Sequence, residues 1–146
     1  MKGITSLGHV AVRVNDIDRS LDFYVNALGF EEMFRLHKED GSLWIVYLRV
    51  TDEQYVELFP GGEGNRSPHT EAAGYNHMCF TVDNLDAVIA QLAERGVTLS
   101  RARKVAVDRN PQAWVEDPDG NRIELMEISP DCLHVEAIAR LRAARR

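Results

Sequence analysis

Two histidines and two glutamates interrupt strand patterns that are otherwise apolar in this chain: His9, Glu57, His77 and Glu124. Their immediate neighbours are Val10, Val56, Leu58, Met78, Ile123 and Leu125. Successive strand residues point to opposite faces, so the four polar side chains face away from the side that these neighbours bury. A lone strand histidine is ordinarily structural, and a lone strand glutamate ordinarily faces solvent. Taken together the four offer two imidazoles and two carboxylates. Two carboxylates gathered without a cation would repel and raise one pKa strongly, and a divalent ion removes that conflict. The donor set favours a borderline first-row ion such as Ni, Co, Mn or Zn over calcium or magnesium. Cys79, on the strand face of His77, has the look of a fifth ligand but is read as a small apolar lining group.

What relates the four is an internal repeat. His9-Val-Ala-Val-Arg-Val-Asn-Asp-Ile-Asp lies over His77-Met-Cys-Phe-Thr-Val-Asp-Asn-Leu-Asp, with Val14 on Val82, Ile17 on Leu85, Asp18 on Asp86 and Leu21 on Ile89, all 68 residues apart. Gly29 then meets Gly96 and Glu57 meets Glu124 at a separation of 67, as one residue deleted from the second helix would give. A duplication places the two His and two Glu at equivalent positions about a pseudo-twofold axis, so that they can converge on one point.

Each copy reads strand, helix, then three strands, an α+β pattern of paired βαβββ modules. Asp16 caps a helix with the stripe Ile17, Leu21, Tyr24 and Leu28, ended by Gly29. Asn84, Leu85, Ile89, Leu92 and Gly96 repeat the arrangement. Extended segments are expected at Glu31–Leu36, Leu43–Val50 and Tyr55–Phe59, then at Thr98–Arg101, Ala113–Glu116 and Arg122–Ile128. The turn Asp117-Pro-Asp-Gly joins the last two. The organisation is therefore one domain over 1–146, with module 1 at 5–60, a linker at 61–74, module 2 at 75–128 and a C-terminal helix within 129–146. That helix, patterned by Val135, Ile138 and Leu141, is expected to dock weakly or to cover an opening.

Bulk composition bounds the partners. The chain is 45% hydrophobic and 27% charged, as in a soluble globular domain. A net charge of −6 gives no footprint for nucleic acid, and the basic run Arg140–Arg146 reads as a solvated helix end. No apolar run approaches the roughly 18–20 residues needed to span a bilayer. Met1–Leu7 has no apolar core of a secretory signal, and Cys79 and Cys132 form no disulfide framework. A reduced, cytoplasmic protein is the expectation.

The strand histidine, the segment Asp18-Arg-Ser-Leu-Asp-Phe-Tyr with Leu28-Gly29-Phe30, and Glu116-Asp-Pro-Asp-Gly-Asn-Arg-Ile-Glu-Leu resemble the vicinal oxygen chelate superfamily over about Thr5–Ile128. Its members include glyoxalase I, fosfomycin-resistance proteins, extradiol dioxygenases, methylmalonyl-CoA epimerase and bleomycin-resistance proteins. Glyoxalase I places metal ligands at the positions of His9, Glu57, His77 and Glu124. Fosfomycin transferases and extradiol dioxygenases lack the ligand at the position of Glu57. Fosfomycin enzymes also carry a threonine where Ala11 stands, epimerases usually a glutamine at Glu57, and bleomycin-binding members have generally lost the ligands. The resemblance is therefore to glyoxalase I (lactoylglutathione lyase).

It implies a metal-dependent lyase or isomerase that moves a proton next to a carbonyl by way of an enediolate, with Glu57 or Glu124 as the base. The substrate implied is a small molecule, in the simplest case a thiol hemithioacetal, and the assembly implied is a homodimer. Arg13 matches an arginine that binds a carboxylate of glutathione in glyoxalase I. Where glyoxalase I has Asn-Trp, and its Asn helps hold glutathione, this chain has Gly61-Gly62, which leaves another thiol adduct or a hydroxy-carbonyl compound open. Tyr55 and Phe59 share the parity of Glu57 and Met126 that of Glu124; with Trp44 and Trp114 they are expected to line the substrate cavity around the metal. An epimerase, a thiol-adding enzyme or a non-enzymatic small-molecule binder on the same scaffold are the competing readings.

Overall fold

The structure is a computed structural model that describes residues 3–64, 71 and 73–145. Part of the 61–74 linker lies outside the described residues. Two compact units emerge, Met1–Ser67 with Asp117–Gly120, and Pro68–Glu116 with Asn121–Arg146.

In unit 1, β1 (His9–Arg13) leads into α1 (Ile17–Leu21), then β2 (Glu31–His37), β3 (Leu43–Arg49) and β4 (Tyr55–Phe59). The strands form one sheet in the order β1-β4-β3-β2, with β1 parallel to β4 and the other pairs antiparallel. Val12, Val46, Leu48, Val56 and Leu58 are buried, as their shared parity requires. Asp16 caps α1 by accepting from the amides of Asp18 and Arg19 at 3.0 and 3.1 Å. The helix does not continue as expected. Asp22–Ala27 is π-helical, with the Leu28 amide donating to the Phe23 carbonyl five residues back. The wider turn moves the buried face to Ser20, Phe23, Tyr24 and Ala27 and leaves Ile17, Leu21 and Leu28 half-buried. Tyr24 is fully buried, so its hydroxyl needs a partner and donates to Asp117 at 2.9 Å. Gly29 follows at φ 82°, a conformation that costs glycine nothing.

Unit 2 repeats the plan: β5 (Met78–Val82), α2 (Leu85–Glu94), β6 (Arg101–Val105), β7 (Pro111–Glu116) and β8 (Arg122–Glu127), in sheet order β5-β8-β7-β6. Again the first and last strands are parallel neighbours. Met78, Leu85, Leu92, Ala113, Val115, Ile123 and Leu125 form the core, and Asn84 caps α2 through the Ala87 amide at 2.9 Å. The strand expected at Thr98–Arg101 starts instead at Arg101 and runs to Val105. All five of its residues are exposed, so this edge strand is held by its ladder to β7 rather than by an apolar alternation the sequence could display.

The C-terminal helix is α3 (Leu133–Ala143). Its Leu133, Val135, Ile138 and Leu141 are all exposed, and no residue of it is buried. Polar contacts to the β6–β7 turn hold its first half. Arg109 makes a two-pronged 2.8 Å bridge to Glu136, and the Leu133 amide donates to the Asp108 carbonyl at 3.0 Å. None of the helices among the described residues is long and apolar enough to cross a membrane.

Candidate metal centre

Parallel pairing of first and last strands is what brings each histidine beside its glutamate. In unit 1 the register sets His9 against Tyr55, Ala11 against Glu57 and Arg13 against Phe59, so these six share one sheet face. His9 Nδ1 lies 3.6 Å from Glu57 Oε1. Glu57 is only 6% exposed, whereas the His9 side chain is 53% exposed. In unit 2 Cys79 pairs with Glu124, and His77 Nε2 comes to 3.1 Å from Glu124 Oε2, with Glu124 8% exposed. Each unit thus presents one imidazole and one nearly buried carboxylate in contact. Neither carboxylate has a Lys or Arg partner among the described residues. Buried carboxylates without a counter-charge are costly, and a cation is the ordinary remedy. No group of three or more His, Cys, Asp or Glu side chains that could hold a metal ion is gathered among the described residues.

Around each pair stands an aromatic neighbour at equivalent strand positions. Tyr47 is directly across β3–β4 from Glu57, and Trp114 directly across β7–β8 from Glu124. The Tyr47 phenol is pushed above its ordinary range by hydrogen bonding to Glu57 and by loss of water, and Phe34 stacks on it at 4.4 Å. Trp114, 8% exposed, meets the His77 ring edge-on at 4.7 Å, donates from Nε1 to Gln112 at 2.7 Å, and carries the Arg101 guanidinium 5.1 Å above its ring. The Cys79 thiol is pushed up to about 12, first by withdrawal from water and then by Glu124 beside it, although the residue keeps an exposed edge.

The other residues singled out from the sequence are distributed as follows. Arg13 is exposed on the His9 face, donates to the Pro60 carbonyl at 3.1 Å and lies 5.7 Å over the Phe59 ring. Tyr55 and Phe59 are half-buried on that face, and the Tyr55 hydroxyl donates to the Asp52 carbonyl at 3.0 Å. Met126 pairs with Thr81 and Gln112 on the face of Glu124. Trp44 stands apart: the ladder passes from Leu36↔Ile45 to His37↔Leu43, leaving it at a bulge, 47% exposed and out of step with Tyr47 and Glu57. Gly62 has a packing reason. A Cβ there would lie 2.9 Å from Asn15 Oδ1 and 3.0 Å from the Val14 carbonyl carbon.

Two residues escaped the sequence reading. Tyr47 lies at the same 67-residue offset from Trp114 as Glu57 does from Glu124, so the repeat marked it. Asn76 had no such mark, because its counterpart in the first copy is Gly8. Yet its Oδ1 lies 2.8 Å from His77 Nδ1.

Residues 6–125 match the family model described as Glyoxalase/Bleomycin resistance protein/Dioxygenase superfamily. The uncharacterized protein YwkD of Bacillus subtilis is 30% identical over 125 residues, spanning 85% of this chain and 98% of the relative. A lactoylglutathione lyase of Escherichia coli O157:H7 is 29% identical over 123 residues, 82% of this chain and 90% of that enzyme. Among solved structures, a glyoxalase family protein from Enterococcus faecalis superposes with a TM-score of 0.73 at 30% identity, covering 84% of this chain and 97% of its own. With its two four-stranded sheets of repeated βαβββ order, this chain belongs to the glyoxalase/bleomycin resistance protein/dioxygenase superfamily.

Proposed function

We propose that the protein is a metal-dependent lyase or isomerase of the glyoxalase I type, in which His9, Glu57, His77 and Glu124 together hold one divalent ion. One observation carries the reading. Each unit presents a histidine against a nearly buried glutamate that lacks any Lys or Arg partner among the described residues. Two neutral imidazoles and two carboxylates fit a borderline transition ion such as Ni, Co, Mn or Zn. A binding module that only enclosed a small molecule would have no use for such costly groups.

When bound, the ion supplies positive charge where negative charge builds on two neighbouring oxygens of the substrate. The chain's own part is proton transfer. Glu57 or Glu124 takes a proton from the carbon beside the carbonyl and returns it to the adjacent carbon. Arg13, exposed on the face of His9 and Glu57, offers a guanidinium to an anionic end of the substrate; Tyr55 and Phe59 flank it on that face, and Trp114 and Met126 flank Glu124 on theirs. The free thiols Cys79 and Cys132 suit work in a reducing cytoplasm, and a homodimer is the assembly proposed.

The test is an assay of protein loaded with Ni, Co, Mn or Zn against methylglyoxal with glutathione and with other low-molecular-weight thiols. Turnover of at least one thiol adduct is expected. Glu57→Gln and Glu124→Gln keep size and a coordinating oxygen but remove the base, so turnover should fall on the order of 10²–10⁴-fold while metal is retained. No turnover with any of the four ions would end the lyase reading.

A further inference from the structure

His77 has a second polar neighbour, and the two contacts cannot both be ordinary hydrogen bonds of a neutral ring. Its Nδ1 lies 2.8 Å from Asn76 Oδ1, an atom that only accepts. The Nδ1 position therefore carries the proton. A neutral imidazole with Nδ1–H has a lone pair at Nε2, and that nitrogen faces Glu124 Oε2 at 3.1 Å. A lone pair set against a carboxylate oxygen at this distance is repulsive unless a cation stands near both. Asn76 is itself held, because Arg122 donates to its backbone carbonyl from Nε at 3.0 Å and from Nη2 at 2.5 Å. Arg122 lies two residues before Glu124 on β8. The result is a chain of contacts within unit 2 that runs from Arg122 through Asn76 and His77 to Glu124.

We infer that Asn76 is a positioning residue that fixes the His77 tautomer, so that Nε2 is the nitrogen offered to the ion. This rests on the metal-binding reading given above. Ligand histidines commonly donate their other N–H to a nearby acceptor, which fixes the ring and raises its basicity as a donor. Here the acceptor is a side-chain amide on the residue immediately before the ligand. In the first copy the equivalent position is Gly8, which has no side chain, and the His9 ring is correspondingly exposed. The two histidines are therefore unequal. His77 is oriented before any ion arrives, and His9 is oriented by binding.

Zinc titration by calorimetry on the full chain, with nitrogen-15 spectra of the zinc-loaded protein, tests the inference without any assay of turnover. In the wild type, zinc should bind, and His77 should show metal at Nε2 with a slowly exchanging Nδ1–H. Asn76→Ala should weaken zinc binding about 10–100-fold and speed that exchange. Asn76→Asp, which can only accept, should restore both. Melting of the metal-free variants separates this effect from a general loss of fold, since a purely structural role would lower the melting temperature of both variants without zinc. A wild type that binds no zinc overturns the metal reading, and this inference with it. A wild type that binds zinc, beside an Asn76→Ala variant of equal affinity and equal Nδ1–H exchange, overturns the role of Asn76 alone.

Discussion

At His77 the chemistry of one side chain bears on the stability of the whole unit. Its ring touches Glu124, Asn76 and Trp114, and it is the less exposed of the two histidines. An ion that binds only the folded chain stabilises it by mass action, about 2.7 kcal/mol when free ion stands at 100 times its dissociation constant. His77→Ala is therefore expected to lower metal content and melting temperature together, with the two variants closer in melting temperature after chelation. Elemental analysis and melting curves check this, and stoichiometric metal held at wild-type affinity would remove His77 from the ligand set. What was legible at this scale was parity. The alternation around Val10, Val56, Met78 and Ile123 told which face each His and Glu would share, and the repeat told that each copy would have one of each. Asn76 was not legible, because a polar residue ahead of a strand looks like any loop residue until its side chain is seen beside the ring.

Among the elements, both helices with caps and glycine terminators were read correctly in kind, and only the first of them incorrectly in winding. Asp16, Asn84, Gly29 and Gly96 stand at the helix ends they were expected to mark. The π-helical turn at Asp22–Ala27 was not foreseen, because a 3.6-residue stripe and a wider one differ by a single residue in a short helix. The edge strand β6 was misplaced for a different reason: exposed on both faces, it had no burial to imprint on its sequence. One loop position carries a firm expectation. Gly62→Ala would thrust a Cβ to within 2.9 Å of Asn15 Oδ1 and 3.0 Å of Val14 backbone. The Asn15 side chain already donates from Nδ2 to the Gly64 carbonyl, so yielding costs that contact. Overpacking of about 1–3 kcal/mol outweighs the 0.4–1 kcal/mol or so that loss of unfolded-state freedom would return. Urea unfolding should show a lower midpoint, and an unchanged or higher one would mean the loop moves freely. The anchor of α3 is electrostatic, and its pH dependence follows. Hydrogen bonding from Arg109 lowers Glu136 below its ordinary 4.5, and hydrogen bonding from Asn110 lowers Asp108 below its ordinary 3.8. A carboxylate held low in the fold contributes stability above its unfolded value and loses it as pH falls through the folded value. Helix α3 should thus stay anchored at neutral pH and release in acid below those ordinary values. Hydrogen-exchange protection over 133–143 should collapse at pH 3 while β3, β4, β7 and β8 stay protected. Equal protection of α3 at pH 3 and pH 7 would mean that something else holds it.

For the whole molecule, the fold class was the most legible feature of all, because a repeat written twice in one chain is hard to mistake. The two sheets have the same strand order, and β1, which starts at His9, and β5, which follows His77, both stand at the edge of their sheets. Edges of this kind are ordinarily covered, and a second copy is the proposed means. Sedimentation equilibrium should give twice the chain mass of 16.5 kDa, and only a 16.5 kDa species at micromolar concentration would count against sites shared between chains.

The parallel pairing of β1 with β4, and of β5 with β8, also sets a clock. His9 leaves the ribosome near the start of its module, and its glutamate comes only on the last strand, after a helix and two strands have been made. No tight turn can join parallel neighbours, so neither half of the centre can form early and serve as a seed for the rest. Contacts between residues so distant in sequence close late and slow the chain that depends on them. An ion in the cell would therefore meet a finished pair, never a nascent one. Its stabilisation would appear in how long the native state lasts rather than in how quickly it is reached.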